Sequence, residues 1–188
     1  MYASAMWIRY AMFMHSQFSV GKKKANRLFY IWAAASLVCM VVIFLASSQT
    51  AEDSGELSGS LTRAILGTVW NWFAPAGQEM SAHLLDLLET ILRKAAHLFV
   101  FLVMGFCTIN AIRQKTAAGW LAFWISLCWC SVYAALDEFH QYFVPGRACM
   151  WQDWLIDTLG ALIGIGAVLL FFRRMEKRKP QSNNHSLK

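Results

Sequence analysis

The sequence predicts an all-α membrane protein with four transmembrane helices, both termini cytoplasmic and an interfacial helix in the first outer loop. Three observations carry that expectation. Of 188 residues, 57% are hydrophobic, and the mean hydropathy of +0.41 is too apolar for an ordinary water-soluble domain. Four apolar stretches, each long enough to cross a bilayer as a helix, are separated by short charged blocks. The 9 Trp and 13 Phe suit aromatic belts at two water interfaces. The basic excess does not point to nucleic acid, because no basic stripe interleaved with aromatics occurs. The 5 Cys, mostly inside apolar runs, form no disulfide framework and read as small hydrophobes.

Residues 1–28 read as a basic cytoplasmic N-terminal segment. Lys22, Lys23, Lys24 and Arg27 follow a first apolar patch and immediately precede a full span, the reverse of a signal peptide. The membrane domain covers 29–172. Span one, 29–46, is uncharged and ends at Ser47, Ser48 and Gln49, before a polar loop with Glu52, Asp53 and Glu56. Over 61–73, Leu61, Ile65, Val69 and Trp72 fall on one side, the pattern of an interfacial helix, until Pro75 breaks it. Ser81 is placed to cap the next helix, which continues without a break into span two, 95–112. Span three is 119–136. Pro145 and Gly146 occupy the centre of a β-turn, and span four covers 155–172. Gly160 and Gly164 have the spacing that lets two membrane helices approach closely, which offers a homo-oligomer contact. Residues 173–188 read as a basic, disordered cytoplasmic tail.

Orientation follows from charge. Of 17 Lys and Arg, all but Arg63, Arg93, Lys94 and Arg147 lie in the N-terminal segment, the 113–118 loop or the tail. Of 11 Asp and Glu, all but Glu176 lie on the other side. The positive-inside rule then puts both termini in the cytoplasm.

That topology turns Arg93, Lys94 and His97, Asp137 and Glu138, and Asp153 and Asp157 outward. Four short helices cannot hold these ends far apart, so one polar pocket at outer-leaflet headgroup depth is expected, rimmed by the 139–152 loop. Asp137, Glu138 and His97 are the candidate catalytic groups. His97 is either satisfied by a neighbouring carboxylate or shuttles a proton or binds metal. Arg93 shares its face, while Lys94 reads as snorkelling to phosphate headgroups. Asp137 and Gln141 stand one turn apart with Glu138 offset, so one carboxylate is expected to face the bundle and the other water. They act as an acid/base pair or pair with Arg93 or Arg147. Arg147, after a rigid turn, suits a two-armed grip on phosphate or carboxylate. Asp153 and Asp157 share a face at the positive end of the fourth helix, and with Asp137 or Glu138 suit a hard divalent cation. The expected ligand-binding set is Arg93, Gln141, Arg147, Asp153 and Asp157. No recognised ligand spacing, phosphate-binding Gly loop or nucleophile elbow occurs, so no metal and no cofactor is assigned. The part played by His140 stays open.

In their order these residues resemble the VanZ-like family of small bacterial membrane proteins, named for a protein that lowers susceptibility to the lipoglycopeptide teicoplanin. The matching elements are Ser47-Ser48-Gln49, Arg93-Lys94 with His97, Tyr133 with Asp137, Glu138 and Gln141, Arg147 after its Pro-Gly turn, and Asp153 with Asp157 and Gly160. There are departures. Val100 and Phe101 stand where the family often has an acid and a Tyr, which removes a polar partner for His97. Position 157, commonly Asn, is Asp. The resemblance implies a multi-pass protein of the bacterial cytoplasmic membrane, tied to glycopeptide resistance through a membrane lipid or lipid-linked envelope ligand. It implies no settled reaction. The alternative is a membrane-embedded enzyme acting on a lipid-linked or phosphorylated envelope precursor, with Arg93 and Arg147 holding the anion and Asp137 or Glu138 as base. A transporter is disfavoured by the lack of internal repeats. Reporter fusions after residues 115 and 145 are expected in opposite compartments; finding both in one would undo the topology and the pocket together.

Overall fold

The computed structural model describes residues 2–49, 64, 67, 68, 70, 81–116, 119–147 and 149–177, with side chains between 23 and 175 in those ranges. Four long helices result: α1 (Tyr2–Ser47), α2 (Ala82–Ile112), α3 (Gly119–Gln141) and α4 (Trp151–Lys177). Among the described residues, Lys23–Ser47, Ala82–Ile112, Gly119–Gln141 and Trp151–Met175 are long and apolar enough to cross a membrane. The chain is a multi-pass membrane protein. The expected interfacial helix over 61–73 lies largely outside the described residues, as does everything after 177. Two boundaries differ from expectation. Residues 2–28 are continuous with span one, because no Pro interrupts the run and Gly21 alone does not stop a helix. Arg173, Arg174 and Lys177 still belong to α4.

At about 1.5 Å per residue, the 31 residues of α2 reach beyond a hydrocarbon core of about 30 Å. A helix of that length leaves turns to spare beyond the apolar layer, and its first turn is capped as the sequence predicts: the Ser81 hydroxyl accepts from the Leu84 amide at 3.3 Å.

The helices alternate in direction. One end gathers the last turns of α1 and α3 with the first turns of α2 and α4, tied by Ser47 to Asp137 and Lys94 to Asp153. The opposite end is basic. There Lys115 donates to Asn26 at 2.6 Å and lies 4.8 Å from the Phe29 ring, while Arg113 stacks 3.6 Å from the Phe172 ring.

Lipid removes the usual hydrophobic drive between helices, so close packing and interhelical hydrogen bonds must hold the bundle. The most extensive contact is between the parallel helices α2 and α4. A Cβ on Gly160 would strike the Leu98 carbonyl, one on Gly164 the Leu102 carbonyl, and one on Gly105 the backbone of Ala161. Gly160 and Gly164 are thus consumed inside the chain. They are the pair expected to offer a homo-oligomer contact, and within this chain α2 lies against them. Phe101, Met104, Cys130, Ala134 and Ala161 form one buried cluster with Ile43, and Ile109, Ala122, Ile165 and Val168 another. Hydrogen bonds stitch the spans, among them Ser36 with Thr108 at 2.8 Å, Tyr133 to the Met40 carbonyl at 2.6 Å, Trp154 to the Ser131 carbonyl at 3.1 Å, and Thr158 to Ser131 at 3.3 Å. Each contributes about 0.6 kcal/mol by comparison with membrane proteins generally. Leu37, Phe44, Trp124, Leu136 and Leu159 point outward, as suits a lipid-facing surface.

Gly164→Ala should lower the melting temperature of the detergent-solubilised protein, with an overpacking cost of about 1–3 kcal/mol. Gly166→Ala, two residues on and with open space at its Cβ, should be neutral or slightly stabilising. Equal effects would remove the close approach as a determinant.

Candidate functional site

The last turn of α3 buries three polar side chains, Asp137, Glu138 and Gln141. Asp137 Oδ2 accepts from Ser47 Oγ at 2.8 Å and from Gln141 Nε2 at 3.0 Å, and Gln141 Nε2 also donates to Ser47 Oγ at 3.2 Å. The one-turn spacing of Asp137 and Gln141 thus does what the sequence suggests. Glu138 does not. Asp137 and Glu138 are only 3% and 4% exposed, so neither faces water as expected. The offset of neighbouring residues on α3 stays inside a sector covered by α1 on one side and by the chain entering α4 on the other. Glu138 Oε2 accepts from the Met150 amide at 2.8 Å, which holds a carboxylate at the start of α4 where an N-terminal dipole favours it.

The expected pairing of these carboxylates with Arg93 or Arg147 does not form among the described residues; neutral donors hold them. Among the described residues an ion pair instead joins α2 to α4. Lys94 Nζ donates to Asp153 Oδ1 at 2.6 Å. It is a partner across the bundle, a correction to the headgroup role expected of it. One turn deeper, His97 Nδ1 faces Asp157 Oδ2 at 3.7 Å. Val100 and Phe101 therefore do not leave His97 without a polar neighbour, since α4 supplies one.

The turn over residues 144–147 forms as Pro145-Gly146 predicts, with Gly146 at φ 76° and the Arg147 amide donating to the Val144 carbonyl at 3.1 Å. The Arg147 side chain also reaches α1. Its Nε donates to the Gln49 carbonyl at 3.0 Å and its Nη2 to the Ala46 carbonyl at 3.2 Å. Two of its five N–H donors thus close the C-terminal end of α1, where the dipole favours a cation. Burial pushes the guanidinium below the ordinary arginine value, and the neighbouring Arg93 charge adds to that, against an opposite pull from Asp137 and Glu138. His140, left open by the sequence, stacks on Phe44 and contacts Ser48 at 3.1 Å.

These groups surround a cavity of about 210 Å³ lined by Arg93, Lys94, His97, Glu138, Gln141, Arg147, Asp153 and Asp157, with Met150 and Ile156. Every expected site residue except Asp137 lines it; Asp137 sits immediately behind, beneath Gln141. The sequence reading passed over Ser47 as a cavity support, although a serine in the last turn of a span was the available signal. A family model described as VanZ/LLP1 matches residues 32–172. The chain belongs to the VanZ/LLP1 family. No curated protein and no solved structure matches it. The matched range begins inside α1 and closes near the end of α4, so the whole VanZ/LLP1 cavity is built from within it.

Ser47→Ala leaves a buried carboxylate oxygen with one donor fewer, at a cost of about 1–3 kcal/mol. Lys94→Ala breaks a pair whose side chains are 31% and 25% exposed, a class contributing about 0–1 kcal/mol. Thermal unfolding in detergent should rank Ser47→Ala as the more damaging; the reverse order would mean the half-exposed pair holds the bundle end.

Proposed function

We propose that this VanZ/LLP1 protein lies in the bacterial cytoplasmic membrane with both termini inside. Its polar cavity then opens at the outer leaflet, binds an anionic lipid headgroup or lipid-linked envelope ligand, and so modulates susceptibility to teicoplanin-type lipoglycopeptides. The observation that carries this reading is the convergence of Arg93, Lys94 and Arg147 on one cavity at a membrane-span end. Lys94 is engaged by Asp153 and Arg147 partly by α1, whereas Arg93 has no ion-pair partner among the described residues, which leaves it for the anion. A larger groove at the basic end, lined by Arg113, Trp120, Phe123, Phe172 and Arg173, has no carboxylate or His on its walls among the described residues. It suits lipid contact better than recognition. A tenfold change in drug binding corresponds to only about 1.4 kcal/mol, so occupancy of a modest site suffices.

A second reading has one observation in its favour. His97, Glu138 and Asp157 share the cavity wall with these cations, the group types a membrane-embedded enzyme acting on a phosphorylated or lipid-linked precursor needs.

Expression of the wild-type protein should raise the inhibitory concentration of teicoplanin more than that of vancomycin, and Arg93→Ala should abolish the difference at equal membrane abundance. Unchanged values for both drugs would reject the resistance role. Lipid extracts from the same strains separate the two readings: a species made or consumed only with the wild-type protein marks an enzyme.

A further inference from the structure

His97, Asp137 and Asp157 come from three helices, α2, α3 and α4, and one donor atom of each lies within 4.8 Å of the other two. Asp137 and Asp157 are 3% and 1% exposed. Asp137 Oδ1 and Asp157 Oδ2 have no hydrogen-bond partner among the described residues. A buried carboxylate oxygen left unpaired is costly, and two facing one gap more so. We infer that His97, Asp137 and Asp157 bind a divalent first-row metal ion, of the Zn²⁺ or Mn²⁺ class, at the inner end of the cavity.

Three features fit that occupant. The 3.7 Å between His97 Nδ1 and Asp157 Oδ2 is long for a hydrogen bond, and close to the separation of two donors that each sit about 2.0–2.2 Å from one ion. Asp137 is already oriented: Ser47 and Gln141 hold its Oδ2, and its Oδ1 has no partner among the described residues. Outer hydrogen bonds of this kind position carboxylate ligands at metal centres. The donor set is the third. Two carboxylates and one imidazole nitrogen are ligand types that a divalent first-row ion takes together. An imidazole beside two carboxylates favours Zn²⁺ or Mn²⁺ over Ca²⁺ or Mg²⁺, which prefer oxygen alone.

His97 and Asp157 also line the cavity whereas Asp137 does not. The protein ligands therefore approach from the buried side, and the remaining coordination positions open toward Arg93 and Arg147. An oxygen of a bound anion can fill one. The sequence hides this set because its three donors lie far apart along the chain, with none of the short spacings that mark metal motifs. The metal site does not depend on the drug-tolerance reading, and either can fail while the other stands.

The test uses the full chain in detergent, purified through a histidine-free tag, stripped with chelator and dialysed against Zn²⁺ and, separately, Mn²⁺. The wild-type protein should retain about one equivalent of at least one of the two, with a rise in melting temperature. Asp157→Asn and His97→Ala should each bind at least about tenfold more weakly. Absence of retained ion in both titrations overturns the site. So does undiminished binding in variants that elute as the wild type does, which marks an adventitious surface ion. If either variant fails to fold, Co²⁺ substitution of the wild type decides: d–d absorption of a nitrogen/oxygen-ligated ion supports the site, and an aqua-ion spectrum overturns it.

Discussion

The polar end of the molecule exists because α2 and α4 lie almost backbone to backbone. Ordinary helix pairs keep axes about 8–10 Å apart, but Gly160 and Gly164 bring the α4 backbone against the Leu98 and Leu102 carbonyls. Because the two helices run parallel, that register carries up toward their first turns. There it sets Lys94 beside Asp153 and His97 beside Asp157. A methyl group at either glycine would push against backbone rather than a yielding side chain, so the strain would pass directly to the cavity wall. In lipid there is no hydrophobic gain between spans to absorb that separation.

Around this axis the other two helices supply support of a different kind. The α3 end brings its carboxylates in with neutral partners, Ser47 and Gln141 for Asp137 and the Met150 amide for Glu138. Neutral donors satisfy Asp137 Oδ2 and Glu138 Oε2, and Asp137 Oδ1 has no partner among the described residues. The result is a region rich in buried carboxyl groups, with Arg93 and Arg147 also on the cavity wall. Whole-protein stability is typically about 5–15 kcal/mol, and an unsatisfied buried polar group costs about 1–3 kcal/mol. Two such oxygens in one gap are therefore a substantial local burden, of the sort that points to a ligand.

Arg147 shows how the loop is coupled to that region. The rigid turn before it aims the guanidinium at the end of α1, where planar donors reach two carbonyls at once. A lysine ammonium has three donors but lacks the rigid planar fork that holds two carbonyls in a fixed geometry. The residue the sequence suggests for ligand grip therefore also joins the loop to α1.

The sequence by itself determined the four spans, the Ser81 cap, the Pro145-Gly146 turn and the common end to which His97, Asp137, Glu138, Asp153 and Asp157 belong. Those depend on local patterns: apolar run length, a capping hydroxyl, a glycine at a left-handed position. Only the tertiary structure decided the partners. Lys94 reads as a headgroup contact until α4 places Asp153 opposite it, and one of Asp137 and Glu138 reads as facing water until their surroundings bury both. Gly160 and Gly164 read as an intermolecular contact, and within this chain α2 lies against them. Each of these turns on how one helix is rotated and slid against another, a quantity set by side chains distant in the chain and absent from any local period.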